Sequence, residues 1–147
     1  MYGEKIIALN LAVCNFSAGL KRMPLTARPD AAAVTFGGSP CLYPSLLEIN
    51  PIDFQAGGTG RLTEALWLAK TVIVQKTAVL LISDGSPDDG GYLRALRNMP
   101  FVTGAFAIAI GYDADMDMLE RFTGDKARII PASDALGAAE YILKTAE

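Results

Sequence analysis

Two side chains with hard oxygen atoms stand in loops that an α/β fold would bring together. Thr59 lies in the glycine-rich stretch "AGGTGRLTEAL", and Asp84, 25 residues later, ends the apolar run "TAVLLISDG". A buried strand ending in Asp presents its carboxylate at the strand's carboxyl end, where open α/β sheets keep their ligand crevices. A hydroxyl and a carboxylate facing one crevice suit Mg²⁺, a hard ion that keeps several of its waters. Each residue also has a plainer role. Thr59 can cap the helix that follows it, and Asp84 can form an Asx turn with Gly85. Asp88 and Asp89, just beyond, read as solvated loop charges or first-turn acids of the next helix.

Other chemistries are poorly served. The chain has no histidine, which removes Ser-His-Asp and Cys-His catalysis and any His-ligated zinc. No lysine follows the glycines of the Thr59 loop, so the phosphate-cradling P-loop is absent, as is G-x-G-x-x-G. Ser86 lacks the surroundings of a nucleophile elbow. Cys14 and Cys41 have neither metal nor redox spacing and read as reduced thiols. The balance of 16 acidic and 13 basic residues argues against nucleic acid as the main partner. No apolar run is long enough to span a bilayer, and the N-terminus has no basic leader region, so a cytoplasmic protein is expected.

The elements that must position these residues follow from periodicity. The chain has 147 residues, 51% of them hydrophobic, enough for one domain with a real core. Ile6, Leu9, Val13, Phe16 and Leu20 follow 3-4-3-4 spacing, so residues 4–21 read as a helix ended by Gly19 and Pro24, with Lys21 and Arg22 at its favourable end. Residues 31–38 read as a short strand, and 41–49 as a second one that Pro44 would place at an edge. A tight loop at 57–60 precedes a helix over 61–74, with Leu62, Leu66, Ala69 and Ile73 along its apolar face. Continuous apolar runs at 77–85 and 104–111 predict strands buried on both faces. Helices at 91–99 and 115–124, a short strand at 127–130, and a last helix at 133–146 capped by Ser133 or Asp134 complete the chain. Trp67 reads as core and Met116 and Met118 as gap fillers; Tyr112-Asp113, at a strand end, can line the crevice rim, but turn geometry explains Asp113 as well. The expected class is α/β, three-layer, with a mostly parallel doubly wound sheet and helices on both faces.

The stretches "AAAVTFGG", "AGGTGRLTEAL", "AVLLISDGSPDD" and "GAFAIAIGYDADMDMLERFTGD", in that order, resemble the von Willebrand factor A domain. The small bacterial stand-alone kind associated with tellurium resistance is the nearest in look, and the resemblance runs from Met1 to about Ile142. It implies a non-enzymatic, protein-binding module with a metal-ion-dependent adhesion site for Mg²⁺ or Mn²⁺. Thr59 matches the family's loop threonine and Asp84 its later aspartate. A partner's acidic side chain would complete the coordination.

The family's first metal motif, D-x-S-x-S, is the part this chain lacks. "MYGEKIIALN" matches the family's continuation of that motif into the first helix, beginning at Met1. On this register the first strand and D-x-S-x-S are missing and the metal site is incomplete. A rival register takes "KIIALNLAV" as the first strand and "VCNFSAG" as a degraded motif, with Asn15, Ser17 and Gly19 in ligand positions. It puts Pro24 inside the first helix, at a cost of roughly 3 kcal/mol.

Loss of a central strand would leave two unpaired sheet edges. Buried unpaired backbone groups cost about 1–3 kcal/mol each. The expectation is therefore direct closure of the neighbouring strands, or a strand donated by another chain, a second copy or a longer version of this one. Two alternatives stand beside the binding module. One is a small α/β hydrolase or phosphotransferase using Asp84, with Lys126 as its nearest plausible lysine. The other is a remnant with a structural role only.

Overall fold

A computed structural model describes residues 4–36, 40–46, 61–85 and 90–146. Thr59, the 57–60 loop, Ser86, Asp88 and Asp89 lie outside the described residues.

The opening stretch is helical: α1 runs Glu4–Arg22 without a break. This excludes the register that makes it a strand. Gly19 does not end the helix, contrary to expectation; it is buried within it. Termination comes after Arg22, where the Arg28 guanidinium donates to the carbonyls of Lys21 and Met23 at 2.7 and 3.1 Å, satisfying acceptors that a helix end leaves open. Strands β1 (Ala33–Thr35) and β2 (Cys41–Tyr43) form an antiparallel pair, and Pro44 lies just past it. Helix α2 (Leu62–Lys70) stops four residues before the expected end. The residues that follow, Thr71-Val72-Ile73-Val74, are all β-branched and lose side-chain freedom in a helix.

Three parallel strands make the main sheet in chain order: β3 (Thr77–Ser83), β4 (Val102–Ala109) and β5 (Ile129–Pro131). Helices α3 (Tyr92–Arg97) and α4 (Met116–Thr123) connect them. Right-handed crossovers between successive parallel strands put both helices on one face. There Leu62 and Leu66 of α2 join Tyr92, Ala95, Leu119 and Phe122 against Leu81, Ala105 and Ala107. The opposite face carries Phe106, Ile108 and Ile110, fully buried against Ala12 of α1 and Ala138 and Ile142 of α5 (Ala138–Ala146). The alternation along β4 is that of a strand covered on both sides. The chain is thus an α/β protein whose parallel sheet is flanked by helices.

The last helix begins otherwise than expected. Neither Ser133 nor Asp134 stands at its start; both lie inside a 3₁₀ segment, Ala132–Gly137, that leads into α5. This segment lies against α1, and Gly19 permits the contact. A methyl group on Gly19 would run into the Leu136 carbonyl oxygen, with the carbonyl carbon at 3.1 Å. Trp67 is not core but 60% exposed: it follows Leu66 by one residue, about 100° around the helix from the buried stripe. Of the two gap-filling methionines, Met118 is buried and Met116 is exposed.

Among the described residues the two sheets do not pair with one another. Ser83 O accepts from Ile110 N at 3.0 Å, so Val79, Leu81 and Ser83 point their backbone groups at β4. By alternation Ala78, Leu80 and Ile82 point theirs the other way. Among the described residues no strand pairs with that outer edge. The β1–β2 hairpin reaches β3 through side chains instead: Ala33 and Ile82 both pack on the cluster of Val13, Leu20 and Leu46.

Candidate functional site

The carboxyl end of the sheet is built by the loops that leave β3 and β4. Asp84 directly follows β3. Gly85 turns the chain with φ +83°, and a Cβ there would stand 2.7 Å from the Asp115 carbonyl oxygen; only glycine suits both demands. The buried Ser83 hydroxyl accepts from Gly85 N at 3.0 Å. Asp115 N donates to Asp84 O at 2.8 Å, tying the two loops together. The Asp115 carboxylate accepts from Met118 N at 3.1 Å and caps α4.

Asp84 meets a cation that the sequence did not reveal. Lys5, in the first turn of α1, places Nζ 3.5 Å from Asp84 Oδ2 and 3.1 Å from Asp113 Oδ1. Asp84 is the more enclosed of the two, with its side chain 15% exposed against 50% for Asp113. Gly111, at φ +86°, makes room: a Cβ there would lie 3.3 Å from Lys5 Cε and 3.0 Å from Asp113 Oδ1. The hydrogen bond to Asp113 holds the Lys5 ammonium above the ordinary lysine value, against the opposing pull of desolvation, with further help from the Asp113 and Asp84 charges. The signal available in the sequence was a lysine at a helix N-terminus. The helix dipole disfavours a cation there unless acids face it.

Asp84 and Asp113 are therefore brought together at the carboxyl end of the sheet through Lys5, a pairing that the sequence reading did not make. Tyr112, between Gly111 and Asp113, is fully exposed. Lys126 is not near Asp84: it precedes β5 and so lies at the amino end of a sheet whose carboxyl end holds Asp84. Two open hollows lie elsewhere, about 370 Å³ beside Val102–Ala105 and about 570 Å³ beside Ile129–Pro131.

The described donors do not fit a divalent ion. Mg²⁺ takes six oxygens at about 2.0–2.1 Å. Here the Asp84 carboxylate faces an ammonium, and among the described residues no three of His, Cys, Asp and Glu converge on one point. Among them, too, no helix is long and apolar enough to cross a membrane.

Fold and site together define a helix-flanked parallel α/β sheet with a paired lysine–aspartate cluster at its carboxyl edge. No family model and no curated protein matches the chain. Two solved structures of proximal thread matrix protein 1 from the mussel byssus share its fold, each with a TM-score of 0.67. They are 14% and 19% identical to it over 95% of its length. The chain in turn spans only 42% and 41% of theirs. At that identity the likeness establishes the fold and leaves function to the site.

Proposed function

We propose that this chain is a non-enzymatic protein-binding module of the von Willebrand A type, docking a partner at the carboxyl edge of its sheet. The observation that carries the reading is Tyr112. It is fully exposed on the rim beside Asp113, in a loop that Gly111 turns and Asp115 anchors to α4. Tyrosine is among the residue types enriched at the few positions that dominate interface energies. Docking through a partner's acidic side chain would need a metal held by Asp84 and Thr59. Beside Lys5 the described edge carries Asp84 and Asp113, and Asp117 lies in the first turn of α4; acids so placed suit a partner's basic group.

The test is photo-crosslinking in the native cytoplasm. One copy carries p-benzoylphenylalanine in place of Tyr112 and another carries it in place of Leu25. Leu25 is 81% exposed just past the other end of α1, whose last residue, Arg22, stands about 25 Å along the helix from Lys5. A protein crosslinked from position 112 and not from 25, and whose purified form loses affinity for Tyr112→Ala, supports the module. Turnover of an ester or phosphoester by the wild-type chain that vanishes in Asp84→Ala would instead establish the hydrolase alternative.

A further inference from the structure

We propose that Lys5 is the resident cation of the carboxyl edge, an ammonium tethered by α1 that takes the place of a divalent ion and makes this face metal-independent. Two carboxylates converge on one point, and that point is filled by Nζ, 3.5 Å from Asp84 and 3.1 Å from Asp113. Asp84 is the more enclosed of the two acids, its side chain 15% exposed, and a carboxylate with little water around it gains from a facing cation.

The lysine is guided there. The missing side chain at Gly111 leaves a channel for its stem, which runs within 3.3–3.7 Å of where a Cβ would stand. The first turn of α1 is otherwise a poor place for a positive charge, so the carboxylates hold it there. The ammonium is charged at neutral pH, as any lysine at or above the ordinary value is. A metal entering the same point would meet this fixed charge at contact distance, and like charges so close exclude one another.

The consequence for partner binding rests on reading this edge as the docking face. The metal chemistry does not, and it is tested without any partner. Mn²⁺ is titrated into the purified chain and its broadening of the Gly85 and Asp113 amide signals is followed by NMR. The same titration is run on Lys5→Met, on Lys5→Arg, and on Lys5→Met combined with Asp84→Asn. Wild type and Lys5→Arg are expected to show no site-specific broadening at millimolar Mn²⁺. Lys5→Met is expected to gain Mn²⁺ affinity on the order of tenfold or more, as removal of a facing unit charge allows. Asp84→Asn should abolish that gain.

Broadening of these amides in the wild-type chain, as strong as in Lys5→Met, would overturn the proposal; this arm needs no variant to fold. A folded Lys5→Met chain that gains no affinity would overturn it too, because the carboxylates would then not form a cation position. Failure to find a partner leaves both metal results standing, so the two readings fail separately.

Discussion

Replacing Gly19 by alanine tests the packing that holds α1 over the sheet. Gly19 is buried at the crossing of α1 and the Ala132–Gly137 segment. A methyl there collides with the Leu136 carbonyl oxygen and comes within 3.1 Å of its carbon and 3.7 Å of its Cα. The obstacle is backbone, so no rotamer change relieves it. The two elements must separate by about 1 Å to restore ordinary contact. That loosens Ala12 and Ala135, 1% and 0% exposed in the same cluster. Overpacking of this kind costs about 1–3 kcal/mol, and a backbone obstacle places it at the upper end. Alanine returns about 1 kcal/mol through its better helix propensity. The net loss is about 1–2 kcal/mol, or a fall in Tm of roughly 3–8 °C for a domain of this size. Thermal melts followed by far-UV circular dichroism measure it. Gly137→Ala is the control, because a Cβ there meets nothing within 4 Å; it should melt at or slightly above wild type. A Gly19→Ala chain that also melts at or above wild type would show that the two elements do not approach as described.

Deuterium exchange should divide β3 by alternation: the amides of Ala78, Leu80 and Ile82 exchange on the order of tenfold faster than those of Val79, Leu81 and Ser83. Equal protection would mean that a strand, from this chain or a second copy, covers the outer edge. Trp67→Gln should change stability by no more than about 0.5 kcal/mol, whereas Leu66→Ala should cost about 2–5 kcal/mol; urea titrations of both would expose a wrong placement of the α2 face. The Lys5 ammonium has a folded pKa above its unfolded value of 10.5. Its stabilising effect is therefore complete below that pH and lost as pH rises through the folded value. Wild type should lose this part of its alkaline stability and Lys5→Met should have none to lose; parallel melts from pH 8 to pH 12 that fall equally would refute the pairing. Gly111→Ala combines strain at φ +86° with pressure on the Lys5 stem, and should cost about 1–2 kcal/mol by denaturant titration.

Much of the architecture was legible because burial leaves a period in the chain. The 3-4-3-4 spacing of Ile6, Leu9, Val13, Phe16 and Leu20 placed α1 to within one residue. The two continuous apolar runs are strands that helices cover on both sides. Asp84 directly follows β3, at the strand's carboxyl end, as its place after the apolar run implied. Trp67 was misplaced although the same stripe, followed strictly, leaves it off the buried face. The end of α2 was missed because apolar spacing continues through Thr71–Val74 while β-branching opposes the helix.

What tertiary structure alone decided is which surfaces meet. Periodicity tells which side of an element is apolar but not which neighbour it faces. Gly19 looked like a helix terminator until the Leu136 carbonyl was seen against it. Lys5 lies 79 residues from Asp84, and no local rule joins them. They meet because α1 covers one face of the sheet with its amino end at the carboxyl end of β3. The residue types at the site were written in the sequence; the ion pair that gives the edge its charge depends on long-range packing, where electrostatic energies change with every ångström.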